Sequence, residues 1–139
     1  MDNKHYDVCI IGAGPGGIFA AYELLKNEPK LKIAIFEAGN SLEKRHCPID
    51  GVKVKSCAHC PTCAIMHGFG GAGAFSDGKY NITNQFGGNL HEYIGKSKAI
   101  QLMRYVDDIN MHNGGEGSKL YSTASTSIKK LCLQNKLHL

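Results

Sequence analysis

Three features of the first forty residues predict an α/β fold built on a parallel sheet. A short run rich in β-branched residues, Tyr6 to Ile11, stops abruptly at Gly12. From Pro15 the apolar period becomes helical, with Ile18, Ala21, Tyr22 and Leu25 in register and Pro29 closing the segment. Leu31 to Phe36 then reads as a second strand, with Lys32 its one polar interruption. Strand, glycine turn, helix and strand in about thirty residues make a βαβ unit. The first run has the unbroken apolar character of a fully buried parallel strand.

Residues 38 to 96 read as mostly irregular, and a stretch that long is more often functional than idle. Ser97 to Asn110 returns to helical spacing, with Ala99, Met103, Val106 and Ile109 or Asn110 on one side, and Asn113 to Gly117 breaks it. Ser125 or Ser127 is placed to cap a last helix through Asn135, with Ile128, Leu131, Cys132 and Asn135 in register. Leu137-His138-Leu139 resembles the opening of another strand. The chain thus divides into a βαβ unit (1–46), a Cys- and Gly-rich loop region (47–96) and a helical segment leading towards a further strand (97–139).

The 139 residues are 42% hydrophobic and 20% charged, enough for a core and too apolar for a disordered chain. A net charge of +4 without a dense basic run argues against nucleic acid as partner. No apolar stretch approaches the roughly 18 residues of a membrane span, and the start lacks the pattern of a signal peptide. A cytoplasmic protein is expected, and its six cysteines are then thiols, metal ligands or redox groups. Cys9, in the first strand, and Cys132, on the last helix, read as core thiols.

Gly12-Ala13-Gly14-Pro15-Gly16-Gly17 fits G-x-G-x-x-G between a strand and a helix, the context that gives this motif meaning. Gly12 permits the tight turn, Gly14 lets a pyrophosphate approach the backbone, and Gly17 lets the helix pack on the strand. The positive end of the helix, opened by Pro15 and Gly16, faces the phosphates. Glu37 closes the second strand, where a carboxylate accepts hydrogen bonds from both ribose hydroxyls of an adenosine and repels a 2′-phosphate.

Cys47, Cys57, Cys60 and Cys63 follow the pattern C-x9-C-x2-C-x2-C. Short C-x2-C steps let thiolates face one pocket. A [4Fe–4S] cluster, a structural zinc (with His46 and His59 as substitute ligands), a redox dithiol and four unrelated thiols all remain open on spacing alone. The triplet is similar to the front of a bacterial ferredoxin motif, but here the Cys47-Pro48 pair precedes it.

Gly68-Phe69-Gly70-Gly71-Ala72-Gly73-Ala74-Phe75-Ser76-Asp77-Gly78-Lys79 is the most distinctive stretch. Gly70, Gly71 and Gly73 are small enough to bring backbone against a flat ligand, and successive N–H groups can form an anion nest. Ser76 and Asp77 add polar contacts, and Lys79 adds a cation.

The N-terminal Asp7-Val8-Cys9-Ile10-Ile11-Gly12 run with its glycine turn, followed by Phe36-Glu37-Ala38, resembles the ADP-binding start of FAD enzymes with two dinucleotide-binding domains. Together with Arg45-His46-Cys47-Pro48, the cysteine triplet and the second glycine loop, it resembles a family of FAD-dependent dehydrogenases, also called NAD(P)/FAD-dependent oxidoreductases. The resemblance implies a Rossmann-like FAD/NAD(P)-binding fold. It implies FAD gripped by Gly12, Gly14, Pro15, Gly16, Gly17 and Glu37, with Arg45 near its ADP half. It places Gly70, Gly71, Gly73, Ser76 and Lys79 near its pyrophosphate or ring. NAD(P)H is implied as an electron donor of the full-length protein. Members are considerably longer, so the chain is expected to be an N-terminal portion needing a C-terminal region or partner chain to complete the fold. The expected function is FAD-dependent oxidation–reduction of an unspecified small molecule. A non-catalytic nucleotide- or metal-binding fragment and a flavin-dependent disulfide reductase are the alternatives. No nucleophile–base arrangement marks a catalytic residue.

Overall fold

A computed structural model describes residues 5–122 and 126–137. It comprises two compact units, Met1–Lys79 and Tyr80–Leu139.

The first unit opens with strand β1 (Val8–Ile11), helix α1 (Pro15–Asn27) and strand β2 (Ile33–Phe36). The strands pair in parallel, with Val8 opposite Ile33 and Ile11 opposite Phe36. The ladder is extended at both ends. The Lys32 amide donates to Asp7 Oδ2 at 2.8 Å, and the Gly12 amide donates to the Phe36 carbonyl at 2.7 Å. Pro15 occupies the start of α1, where its missing N–H costs nothing, and the helix ends at Asn27, before Pro29. The predicted βαβ unit is therefore present, with strands shorter by about two residues at their N-terminal ends, within ordinary boundary scatter.

One expectation is corrected. β1 is not fully buried: burial alternates along it, and Ile11 is 83% exposed. In the described residues the sheet has two strands and α1 packs against β1, so alternate side chains are covered and the others are not. Cys9 is consequently an exposed thiol, not a core one. On α1, Ala21 is buried while Tyr22 and Leu25 are each 42% exposed.

From Ala38 to Lys79 the backbone is irregular apart from short 3-10 turns at Leu42–Lys44 and Gly71–Phe75. Its order comes from Arg45, which is 2% exposed and whose guanidinium donates to four backbone carbonyls.

The second unit contains α2 (Leu90–Ile94), α3 (Lys96–Asn110) and α4 (Ser127–Gln134). Gly95, at φ +82°, breaks the chain between α2 and α3 in a conformation that suits glycine. Ala99 is fully buried, and Met103, Val106 and Ile109 are half-buried on the same side, as their spacing predicts. After Asn110 a wide turn, Met111–Gly115, leaves helical geometry at Asn113 and Gly114. Thr126, between the two predicted caps, closes the N-terminus of α4 by accepting from the Lys129 amide at 3.2 Å. The face of α4 read as apolar core is largely open, with Ile128 and Leu131 exposed and Cys132 half-buried. The strand expected at the C-terminal end, Leu137-His138-Leu139, falls largely outside the described residues. No described helix is long and apolar enough to cross a membrane.

Candidate functional site

The turn between β1 and α1 forms the floor of the candidate site. Gly12 has φ +97°, which an L side chain rarely adopts, so glycine is required there. At Gly17 a Cβ would run into the Gly12 carbonyl oxygen and lie 3.2 Å from Ile10 Cγ2. Its absence lets α1 sit directly on β1, as the motif predicts. Gly14 caps the helix from extended backbone, and no side chain caps this end. The first amide bonded within the helix is that of Ile18, which donates to the Gly14 carbonyl at 3.0 Å. No acidic residue stands in the first turn to offset the positive end of the helix. Backbone N–H groups and partial positive charge therefore face outward together, the arrangement that binds phosphate oxygens.

Glu37 forms the second element. Its Oε2 accepts from the Ala13 amide at 2.7 Å and its Oε1 from the Gly39 amide at 2.9 Å. The Ala13 amide is the main reason its carboxyl lies below the usual value, with Gly39, then Gly68 and the charge of His67 adding to it against a smaller opposing effect of burial. An ionised carboxylate offers about four acceptor positions. The two close amides occupy one on each oxygen, which leaves capacity for ribose hydroxyls. The sequence anticipates Glu37 as a ribose acceptor but not this second task of holding the phosphate turn.

The third element is the second glycine loop. The Gly70 amide donates to the Ala13 carbonyl at 2.8 Å. A Cβ on Gly71, itself at φ +58°, would lie 3.2 Å from both Gly14 Cα and Pro15 Cδ, and one on Gly73 would lie 3.6 Å from Pro15 Cγ. Gly70, Gly71 and Gly73 thus form a wall against the turn, which brings together two glycine clusters more than fifty residues apart. Gly16 stays open on its Cβ side. Ser76 and Lys79 serve the loop locally: Ser76 Oγ accepts from the Gly78 amide at 3.1 Å, and the Lys79 amide donates to Asp77 Oδ1 at 3.1 Å. Both residues are exposed.

The resemblance implies that Arg45 lies near the ADP half of a cofactor; in the structure its Nε and both terminal nitrogens donate to backbone carbonyls. It lies behind the wall. Nε donates to the Ala64 carbonyl (2.8 Å), one terminal nitrogen to Phe69 (2.6 Å) and Gly71 (2.9 Å), and the other to Ile65 (2.7 Å). The guanidinium carbon stands 4.8 Å from the centroid of the Phe75 ring. A planar fork suits this spread of acceptors.

Sequence reasoning missed Gly39 and Asn40, and read Gly68 only as part of a loop approaching a ligand. The Phe69 amide donates to the Asn40 carbonyl at 3.0 Å. A Cβ on Gly39 would collide with the Gly68 backbone, and one on Gly68 would lie 2.6 Å from the Asn40 carbonyl oxygen. The available signal was Gly39 itself, two residues past the acid, where a side chain has no room.

Cys47, Cys57, Cys60 and Cys63 line one cavity of about 220 Å³ with Pro48, Ala58, His59 and Ala64. All are free thiols, with Cys63 half-buried and the others exposed. The single-ion tetrahedral set read from their spacing is not assembled: among the described residues, no three His, Cys, Asp or Glu side chains converge as a metal-binding group. An irregular loop spaces the sulfurs around the cavity instead.

The Thi4 family model matches residues 1–43. Thiamine thiazole synthase of Candida albicans is 63% identical over 35 residues, 25% of this chain and 10% of that protein. The enzyme of the same name from Yarrowia lipolytica is 67% identical over 33 residues, 24% of this chain and 10% of its own. That of Eremothecium gossypii is 62% identical over 32 residues, 23% and 10%. The shared segment thus spans about a tenth of these relatives. No solved structure matches. The match to the Thi4 family covers β1, the glycine turn, α1, β2 and Glu37, and it ends two residues before Arg45.

Proposed function

We propose that the first unit grips the ADP half of FAD and belongs to a flavin-dependent oxidoreductase acting on a small molecule. One observation carries this reading: the glycine turn, the open helix end, Glu37 and the Gly70–Gly73 wall converge on one place although they come from separate parts of the chain. The residues fit the group. Gly16 is open on its Cβ side, the N–H groups at the start of α1 would neutralise a diphosphate there, and Glu37 would accept from the adenosine ribose. A 2′-phosphate beside that carboxylate is repelled, which disfavours NADP here. When bound, the flavin supplies hydride or single-electron transfer, and the protein supplies binding, orientation and electrostatics. Lys79 is proposed to approach the flavin and favour its anionic reduced form.

Titration with ADP, FAD, NAD and NADP tests the reading. ADP and FAD bind with similar affinity, and NADP binds worst. Glu37→Ala weakens ADP about 10- to 100-fold, the value of charge-assisted hydrogen bonds of about 1.5–3 kcal/mol. Absence of ADP and FAD binding, or a Glu37→Ala protein that binds as well as the parent, refutes it.

A second reading, thiazole formation, is favoured by the 63% identity with thiamine thiazole synthase. The matched region holds the nucleotide grip and none of the thiol loop or second glycine wall. It is therefore shared by both readings, and product analysis with the longest available form of the protein separates them.

A further inference from the structure

We infer that the cavity lined by Cys47, Cys57, Cys60 and Cys63 is a [4Fe–4S] cluster site, with one thiolate for each iron. The four thiols line one cavity of about 220 Å³. That is many times the roughly 10–15 Å³ that one water needs, which suits a polyatomic group better than a single ion. A cubane bonds each cysteine to a different iron, so its ligands surround a volume instead of meeting at a centre. The C-x2-C-x2-C triplet plus a separate Cys followed by Pro supplies four such ligands.

The loop is built to bring the separate cysteine back to the triplet. Asp50 Oδ1 accepts from the Val52, Lys53 and Val54 amides, and the Asp50 amide donates to the Val54 carbonyl, so the segment between Cys47 and Cys57 doubles back. Arg45 clamps both ends. It lies two residues before Cys47, and its donors hold the carbonyls of Ala64 and Ile65 directly after Cys63. His59, at φ +49°, turns the chain between Cys57 and Cys60 and aims its amide at Cys57 Sγ, 3.4 Å away. A left-handed histidine is unfavourable without compensation, and an N–H donor to a cluster thiolate is one. Lys44, Lys53 and Lys55 outnumber Glu43 and Asp50 around this loop, which offsets part of the negative charge of a four-thiolate cluster.

Loading is a ligand exchange without net oxidation. A preformed cluster carrying four small thiolates takes four cysteine sulfurs, and each displaced thiolate leaves with a cysteine proton as free thiol. The test incubates the full chain, without oxygen, with the mercaptoethanol complex of [4Fe–4S], followed by gel filtration. About four irons and four sulfides per chain are expected. Alkylation and mass spectrometry show Cys47, Cys57, Cys60 and Cys63 protected while Cys9 and Cys132 react. Cys9→Ser/Cys132→Ser loads as the parent does. Cys57→Ser/Cys60→Ser, with an unchanged far-UV spectrum, does not. A folded chain that retains no iron, iron retained by the Cys57/Cys60 double variant, unprotected thiols in the loaded protein, or one zinc per chain that the complex fails to displace overturns the inference.

Discussion

Gly16→Ala and Gly17→Ala are neighbouring substitutions with opposite expected signs. A Cβ added at Gly16 meets nothing within 4 Å, so alanine there removes backbone freedom from the unfolded chain and stabilises by about 0.5–1 kcal/mol. Gly17→Ala carries the same propensity gain. Its Cβ, however, meets the Gly12 carbonyl oxygen and lies 3.2 Å from the Gly12 carbonyl carbon and from Ile10 Cγ2. Two of those three atoms are backbone, so the conflict is relieved by lifting α1 from β1, at an overpacking cost of about 1–3 kcal/mol or more. The propensity gain cancels between the two variants, and their difference of about 1–3 kcal/mol isolates the contact. Urea unfolding followed by far-UV circular dichroism measures it, with equal slopes required for a valid comparison. Lifting the helix also moves the N–H groups of its first turn, so Gly17→Ala loses ADP affinity tenfold or more, about 1.4 kcal/mol, while Gly16→Ala does not. Stabilities within about 0.5 kcal/mol of each other refute the close-packing account of this turn.

Glu37→Gln tests the carboxylate latch by pH. The Glu37 carboxyl lies below its usual value, so its stabilisation is complete above about pH 4.3 and is lost as pH falls through the lowered value. Parent and Glu37→Gln therefore differ at pH 6 and converge as acid protonates the carboxylate; Glu43 and Asp50, also held low, titrate in both and cancel from the difference. Arg45→Lys loses about 2–4 kcal/mol in the same urea assay, because one ammonium cannot cover four separated carbonyls, and a near-neutral result refutes the clamp. Gly71→Ala combines a left-handed φ with two 3.2 Å contacts and costs about 1–2 kcal/mol of stability in the urea assay. Lys79→Met lowers the reduction potential of bound FAD; an unchanged potential shows that Lys79 does not reach the ring.

The βαβ unit was legible because each of its steps is local. The abrupt end of the β-branched run at Gly12, the change of period at Pro15 and the acid at Glu37 are set by residues within one or two turns of each other. The second glycine loop was legible as a close-approach element, since small residues permit little else, but its target was not. That depends on the Gly70 amide reaching the Ala13 carbonyl, a pairing that no periodicity encodes. Arg45 misled for a related reason. In sequence it stands beside Lys44 as a surface charge, and its burial follows from four carbonyls of a loop about twenty residues further on. Cys9 misled because a strand's apolar run signals burial only if both faces are covered, and here α1 covers one.

The position at which the family likeness stops bears on what the protein does. Residues 1–43 contain the floor of the candidate site and its acid, the parts proposed to hold an adenosine diphosphate. The wall at Gly70–Gly73 and its anchor, Arg45, lie outside that segment. The same guanidinium holds the carbonyls that follow Cys63, so the thiol loop and the Gly70–Gly73 wall share one support. The two features that the family likeness does not cover are therefore the two that this one residue joins.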